Sequence, residues 1–137
     1  MKRYLLDTNI CVFLLRGKYD IDKKINQVGI KNCYISEITV LELKYGVELL
    51  KQKDGIDRSA QLDYFLLAFS VVPITDSLDL CAKEKIRLRL AGTPADDDFD
   101  LLIGCTAVAM NLTLVTENVR HFKNIKSIKL ENWVERT

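Results

Sequence analysis

Short, continuous apolar runs alternate along this chain with longer segments whose apolar residues recur every three or four positions. Such runs are typical of strands that are covered on both faces, and their alternation with helices predicts a parallel sheet between two helical layers. We therefore expect a three-layer α/β/α fold with four to five short strands, formed as one domain by residues 1–137. The predicted strands are residues 4–6, 33–35, 71–74, 112–115 and 128–130.

The spacing of apolar residues in the longer segments predicts amphipathic helices. In one of them, Glu42 shares a stripe with Ile38, Tyr45 and Leu49, so we expect this stripe to face the core. In another, the stripe expected to point inward is Leu78, Ala82 and Ile86. The predicted helices are residues 9–15, 18–28, from Ser36 or Thr39 to about Lys53, 57–69, from Ser77 to Gly92, and 99–110.

Three acidic residues interrupt these apolar patterns. Asp7 ends the first strand run, Glu42 lies between two leucines, and Asp100 lies within the run of residues 99–103. A carboxylate against apolar surface is costly unless it pairs or binds a cation. Residues 116–118 follow the fourth strand, and the carboxyl ends of parallel strands share one edge of a sheet. The three acids are therefore expected to converge there as a site for Mg²⁺ or Mn²⁺, which prefer oxygen ligands.

Each acid also has a purely structural interpretation. Asp7 fits the N-cap of the first helix, and Glu42 fits a capping box with Thr39. Asp100 fits the first turn of its helix, where it would interact with the helix dipole. Helix capping does not explain why all three should converge, which favours the metal-site interpretation.

The overall charge of +1, from 20 basic and 19 acidic side chains, neither requires nor excludes a nucleic-acid partner. Local charge is more informative, because two basic clusters flank the acidic residues 96–100. A basic rim beside an acidic centre suits a phosphate polymer held near a metal, although solvated lysine-rich faces give the same pattern. The clusters are Lys83, Lys85, Arg87 and Arg89, and Arg120, Lys123, Lys126 and Lys129.

The four cysteines form no C-x-x-C pair, and His121 is the single histidine, which disfavours a zinc site. Thiols within apolar segments indicate a reducing compartment. The apolar run before Asp7 is too short for a signal peptide, and no run approaches the span of a bilayer, so we expect a cytoplasmic protein without membrane contact. The cysteines are Cys11, Cys33, Cys81 and Cys105.

Four blocks of sequence together resemble the PIN-domain ribonucleases of the VapC toxin type. They are Leu-Leu-Asp-Thr-Asn at residues 5–9, Ile-Thr-Val-Leu-Glu-Leu-Lys-Tyr-Gly at 38–46, Phe-Asp-Leu-Leu-Ile-Gly at 99–104, and Leu-Val-Thr-Glu-Asn-Val-Arg-His-Phe at 114–122. A closing Leu-Glu-Asn-Trp at 130–133 completes the resemblance, which covers nearly the whole chain in the order and spacing of the family.

The resemblance implies that Asp7, Glu42 and Asp100 are acidic metal-site residues. We expect Asp7 and Asp100 to be the direct ligands and Glu42 either to bind through water or to help accept the proton. The fourth position corresponds to Asn118, which brings a carbonyl oxygen but no charge. Asp98 and Glu117 are alternatives for completing the site. Some members of the family carry an acid at the position of His121, which we expect to be a surface or half-buried residue near Phe122.

The implied function is the toxin of a type II toxin–antitoxin system, a Mg²⁺- or Mn²⁺-dependent endoribonuclease. Its implied substrate is RNA, with the anticodon loop of initiator tRNA as one candidate. The implied partners are a VapB-like antitoxin and a second copy of the chain, with residues 57–69, or Leu43 and Val47, as candidate dimer surfaces. Two alternatives stay open: a non-catalytic PIN-like RNA-binding module, and a phosphatase of the haloacid dehalogenase type, for which Asn9 stands where that family has Asp.

Overall fold

Five short parallel strands form the centre of the molecule, which the computed structural model describes over residues 2–136. They run in the order β3-β2-β1-β4-β5, so the first strand lies in the middle and the chain winds outward from it in both directions. This arrangement confirms the predicted parallel sheet. The strands are β1 (Tyr4–Leu6), β2 (Cys33–Ser36), β3 (Ser70–Val72), β4 (Thr113–Val115) and β5 (Leu130–Glu131).

Seven α-helices lie within residues 2–136, one of which the sequence pattern did not predict. That helix, Val119–Phe122, is a single turn directly after the fourth strand, too short to show an apolar period. The other boundaries agree with the prediction to within a few residues. The helices are α1 (Thr8–Leu15), α2 (Ile21–Val28), α3 (Glu37–Asp54), α4 (Ser59–Leu67), α5 (Leu78–Leu90), α6 (Asp98–Ala109) and α7 (Val119–Phe122).

The central strand separates two hydrophobic clusters. Tyr4 and Leu6 pack on one side of the sheet, in the cluster that includes residues of α1, α2 and α4. Leu5 packs on the other side, with residues of α5, α6 and α7. This alternation follows from the period of two along a strand. Because both faces are covered, all three residues of β1 are buried, and the three-layer architecture is confirmed.

Helix α3 begins directly at the end of β2. The Ser36 hydroxyl accepts a hydrogen bond from the Ile38 N–H at 3.1 Å, as an N-cap serine does. Thr39 lies inside the helix and is fully buried, so it cannot serve as the cap. The capping box predicted for Thr39 and Glu42 is therefore wrong, and the Glu42 carboxylate is available for another role.

Most residues of two apolar stripes that the sequence placed in the core lie instead on the surface, although Ile38 of the α3 stripe is buried as expected. On α3, Tyr45 is 66% exposed and Leu49 is exposed as well. On α5, Leu78 and Ile86 are exposed, while Glu84 and Leu88 are buried. The prediction failed because a helix with apolar residues on two faces has the same local period whichever face meets the core. Ala82, the third residue of the predicted α5 stripe, is also exposed.

The four cysteines are free thiols, as expected, and all except the half-buried Cys81 are buried. Within residues 2–136, no helix has the length and apolar character that crossing a membrane would require.

Candidate active site

Asp7 is held at the carboxyl end of the central strand. Its backbone N–H extends the ladder between β1 and β4 by donating to the Val115 carbonyl at 2.9 Å. Its Oδ1 accepts from the Thr8 N–H at 2.8 Å, which makes Asp7 the N-cap of α1. Its Oδ2 accepts from the Thr116 hydroxyl at 2.7 Å. The capping role expected of Asp7 is therefore real, but it occupies only one of the two carboxylate oxygens.

The Asp7 carboxyl group is 5% exposed and forms no ion pair with any residue of the described chain 2–136. Its pKa is raised from 3.8 to about 6, mainly by burial and to a smaller extent by the negative charges of Asp100 and Glu42. The hydrogen bonds from Thr116 and Thr8 act in the opposite direction but do not offset the burial. The Asp7 carboxylate therefore lacks a neutralising positive charge.

Glu42 is connected to the residue next to Asp7. Its Oε1 accepts from the Thr8 hydroxyl at 2.7 Å, and that hydroxyl also lies 3.0 Å from the hydroxyl of Thr39. Thr39 occupies the first turn of α3, one turn before Glu42. Two threonines on different helices thus fix the half-buried Glu42 side chain beside α1. This position confirms that Glu42 points toward the strand edge, although Tyr45 and Leu49 do not accompany it.

Asp100 lies in the first turn of α6, as expected, but it is not the cap. Asp97 caps the helix by accepting from the N–H groups of Phe99, at 2.7 Å, and Asp100, at 3.4 Å. The half-buried Asp100 carboxyl group has a raised pKa, mainly because of desolvation. Its charge in turn raises the pKa of Asp7, so the two carboxyl groups lie close enough to interact.

His121 contacts Asp100, a role that the sequence did not indicate. Its Nδ1 lies 3.2 Å from Asp100 Oδ2, and because an ionised carboxylate only accepts, Nδ1 donates the hydrogen bond. His121 lies on the short helix α7, one residue before the buried Phe122. The expected surface position of His121 next to Phe122 is confirmed, but no local pattern predicts its contact with Asp100.

Asn118 lies beside Asp7, whereas the two alternative acids are held elsewhere. The Asn118 N–H donates to the Thr116 hydroxyl at 2.9 Å, and that same hydroxyl donates to Asp7. The exposed Asn118 side chain forms no hydrogen bond with the rest of the described chain. Glu117 forms an ion pair with Arg136, and Asp98 forms one with Lys85 at 2.9 Å. The fourth position of the site, Asn118, therefore offers an amide rather than a carboxylate.

The donor set suits a hard divalent cation, because Asp7, Glu42 and Asp100 supply only oxygen and no basic side chain neutralises Asp7. The amide Oδ1 of Asn9, two residues after Asp7, is also buried without a hydrogen-bond donor from residues 2–136. As the side chains stand, however, no three acidic, cysteine or histidine side chains of that span surround a common point. The carboxylates of Asp7, Glu42 and Asp100 are hydrogen-bonded to Thr116, Thr8 and His121 respectively, so a shared cation would require them to come closer together.

Comparison with known sequences gives a consistent result. The family profile described as "PIN domain" matches residues 4–127. The chain is 35% identical to "Ribonuclease VapC2" of Rickettsia felis over 95% of this chain and 97% of that protein. It is 31% identical to the "tRNA(fMet)-specific endonuclease VapC" of Salmonella typhimurium over 97% of this chain and 99% of that protein.

Solved structures of proteins from the same two organisms share this fold. The structure of VapBC2 from Rickettsia felis bound to a DNA fragment from their promoter contains a chain that is 34% identical, with a TM-score of 0.81 and coverage of 95% of this chain and 98% of that one. The structure of DNA-bound VapBC from Salmonella typhimurium contains a chain that is 29% identical, with a TM-score of 0.85 and coverage of 97% and 99%.

Proposed function

The chain belongs to the PIN domain family as a VapC-type ribonuclease, and we propose that it is a Mg²⁺- or Mn²⁺-dependent endoribonuclease whose metal site is formed by Asp7, Asp100 and Glu42. One observation carries this proposal: a buried carboxylate without a cationic partner lies at the carboxyl edge of a parallel sheet, where the charges of Asp100 and Glu42 help to raise its pKa. Such a concentration of negative charge costs stability, and it is retained where it binds a cation.

Each residue has a distinct role in the proposed mechanism. When bound, a divalent cation polarises the phosphoryl group and lowers the pKa of water. Asp7 and Asp100 would hold the cation, and Thr116 keeps the Asp7 carboxylate in orientation. Glu42, held by Thr8, orients the attacking water and accepts its proton. Asn118 directs its free amide at a phosphate oxygen or a water, so the fourth position of the site contributes a hydrogen bond without a charge.

The experiment compares cleavage of RNA by the purified wild type, Asp100→Asn and Asp63→Asn, with Mg²⁺ or Mn²⁺ and with EDTA. Asp63 is an exposed acid of α4, and α4 packs on the side of the sheet opposite to α6, which carries Asp100. The Asp63 variant therefore controls for the loss of one negative charge. We expect metal-dependent cleavage by the wild type and Asp63→Asn, and none by Asp100→Asn. Equal cleavage by all three proteins would exclude the proposed site.

We propose RNA in the cytoplasm as the substrate, with the anticodon loop of initiator tRNA as the specific target. Support comes from the relative of Salmonella typhimurium, which is described as specific for tRNA(fMet). Incubation of the purified protein with total bacterial RNA, followed by sequencing of new ends, tests the target. Cuts concentrated in the anticodon loop of initiator tRNA support it, and cuts confined to other RNAs exclude it.

We also propose a VapB-like antitoxin and a homodimer. Related chains occur in VapBC assemblies, and an Arg or Lys of an antitoxin would pair with the uncompensated charge of Asp7. For the dimer, Leu43 is buried in the core and Val47 packs against it, so neither is a free surface. Tyr64 and Leu67 of the predicted segment 57–69 are exposed and remain candidates. Light scattering of the wild type and Leu67→Glu measures the dimer, and a monomeric wild type would exclude it.

The same experiments separate the alternative functions. A non-catalytic module would bind RNA without cutting it, and a phosphatase would release phosphate from small esters while leaving RNA intact. A toxin is expected to arrest growth when expressed alone in bacteria and to be harmless as Asp100→Asn. Normal growth with abundant, folded wild-type protein would exclude the toxin role.

A further inference from the structure

A cavity of about 300 Å³ opens beside the carboxylates, between the loop that connects α5 to α6 and the short helix α7. His121 lines this cavity and also contacts Asp100, so the cavity and the proposed metal site share a wall. A second cavity of about 330 Å³ lies against Lys85, Ile86 and Arg89. None of the residues that line the second cavity contacts the three carboxylates, so the first alone adjoins the proposed chemistry.

The walls of the first cavity suit a flat ring with polar edges. Leu88 and Leu101 are buried and form its apolar side. Arg120, Asn124 and Asp96 provide a cation, an amide and a carboxylate around them. The volume lies at the lower end of the range for ligand pockets, roughly 300–1,000 Å³, which suits a single nucleotide base. Single-stranded RNA is recognised in this way, by packing of one base and hydrogen bonds to its edge.

Two of these polar groups have no partner within residues 2–136. The guanidinium of the exposed Arg120 forms no ion pair there, unlike the ammonium group of Lys85, which pairs with Asp98 at 2.9 Å. The side-chain amide of Asn124 forms no hydrogen bond, whereas its backbone carbonyl does. The fold therefore fixes the Asn124 backbone and leaves the donors of both side chains free for a ligand.

The Asn124 wall is held by an ion pair on α5 between the buried Glu84 and the exposed Arg87. Glu84 accepts two hydrogen bonds from Arg87, at 2.7 and 2.6 Å, and one from the Lys126 N–H at 2.7 Å. Arg87 in turn donates to the Asn124 carbonyl at 2.7 Å. One acid and one base thus hold the backbone on both sides of Ile125. Such support keeps a binding group in position before the ligand arrives.

Ile125 is fixed from the opposite side by α6. A Cβ placed on Gly104 would lie 2.4 Å from the Ile125 Cδ1, so only glycine allows this contact without displacement. Ile125 also lines the cavity. The segment that carries Asn124 is therefore held by packing as well as by charge, although it has no regular secondary structure. This rigidity is expected of a residue that reads a ligand rather than of a loose surface loop.

We propose that this cavity holds one base of the RNA strand beside the scissile phosphate, with an adjacent phosphate on Arg120 and the base edge read by Asn124. The inference rests on the proposed function. The side-chain oxygen of Asn124 and the carboxylate of Asp96 at the same wall can both accept hydrogen bonds from the exocyclic amino group of adenine, cytosine or guanine. Uracil has no such group, so the enzyme disfavours uracil at the position that occupies the cavity.

The experiment uses the full chain and a stem–loop RNA pool with a randomised loop, and it records cleavage rate and base usage around each cut. The wild type is expected to show a preference against uracil at one position next to the cut. Asn124→Ala is expected to reduce this preference roughly 10-fold while cleavage persists. Arg120→Ala is expected to raise KM about 10-fold with little change in kcat, since it removes a phosphate contact. Arg58→Ala removes an equal charge before α4, on the opposite face of the sheet, and is expected to change neither quantity.

The outcomes separate this inference from the function on which it rests. A wild type that cuts no RNA overturns both. Cutting with even base usage, or with the same preference in Asn124→Ala as in the wild type, overturns the cavity assignment and leaves the nuclease intact. An equal rise of KM in Arg120→Ala and Arg58→Ala also contradicts it, because the effect would then reflect total charge rather than a phosphate site.

Discussion

Asp7 and Glu84 are buried to nearly the same extent, at 5% and 6% exposure, yet their surroundings are opposite. Glu84 meets a guanidinium and a backbone N–H, and mainly because of the hydrogen bonds from Arg87 its pKa is lowered. Asp7 receives a hydroxyl and a backbone N–H but no cation, and burial raises its pKa to about 6. Both carboxylates accept hydrogen bonds, so the presence of hydrogen bonds does not distinguish the two residues. What distinguishes them is whether the charge is neutralised by the protein.

The comparison shows how a structural acid can be told from a functional one. Glu84 joins α5 to the segment before β5, and the fold supplies its partner. The charges of Asp100 and Glu42 act on Asp7, and no residue of the described chain 2–136 supplies a cation to it. In our proposal a divalent cation from solution takes this place. Burial alone is therefore a poor indicator of a metal site, whereas burial without a counter-charge is a good one.

The largest expected effect is on catalysis. Replacement Asp7→Asn keeps the shape of the side chain but removes the charge that is proposed to hold the cation. We expect RNA cleavage with Mg²⁺ to fall about 1,000-fold, since metal assistance contributes several kcal/mol to the barrier. Initial rates on a labelled stem–loop RNA measure this, and Asp63→Asn serves as the control. Activity within a few-fold of the wild type would remove Asp7 from the site.

Glu84 is expected to contribute to the stability of the fold rather than to catalysis. Replacement Glu84→Ala leaves the Arg87 guanidinium without its partner and the Lys126 N–H without an acceptor. We expect the free energy of unfolding to fall by about 2–4 kcal/mol. Urea denaturation monitored by circular dichroism gives the value. Asp79→Ala, an exposed acid on the same helix, is the control and is expected to change stability little. An equal loss in both variants would show that the ion pair is unimportant.

The raised pKa of Asp7 predicts a stability difference that depends on pH. Between the unfolded pKa of 3.8 and the folded value of about 6, the folded protein binds more protons, so the metal-free protein loses stability as pH rises through this window. Above it, Asp7→Asn is expected to be more stable than the wild type by roughly 2–3 kcal/mol. Below pH 4 the difference should vanish. Urea denaturation in EDTA at both extremes tests this, and an Asn variant that is less stable at pH 7.5 would contradict it.

The smallest effect concerns His121, which is expected to orient the Asp100 carboxylate through a hydrogen bond. His121→Ala is expected to weaken Mn²⁺ binding about 10-fold, as loss of a hydrogen bond to a metal ligand does. His121→Asn retains a donor near the position of Nδ1 and should recover most of the affinity. Electron paramagnetic resonance of free Mn²⁺ measures both. Equal weakening by Ala and Asn would show that the hydrogen bond is not responsible.

The sequence pattern was sufficient for the parts of the fold that depend on local order. Continuous apolar runs identified the strands, and the positions of Asp7 and of residues 116–118 after two of them correctly placed these residues at one edge. Asp100 was correctly placed in a first helical turn. The strand order was not predictable, because nothing in a short apolar run specifies its neighbour.

The remaining features depend on tertiary placement that local patterns do not encode. Tyr45 and Ile86 have the spacing of core residues but face outward, since periodicity does not indicate which of two apolar faces is covered. Glu84 stands between two lysines in the sequence, and no local pattern indicates that it is buried. The contact of His121 with Asp100 joins residues that are 21 positions apart through a helix of a single turn. Such contacts form only when packing brings the elements together.

The central claim is that Asp7 and Asp100 hold a divalent cation, and anomalous diffraction from a crystal soaked in Mn²⁺ tests it most directly. We predict an anomalous peak within direct coordination distance of both carboxylates, with Glu42 or an intervening water nearby, and no peak there in crystals of Asp7→Asn. Manganese bound at other surface sites, with none between Asp7 and Asp100 in the wild type, would contradict the account.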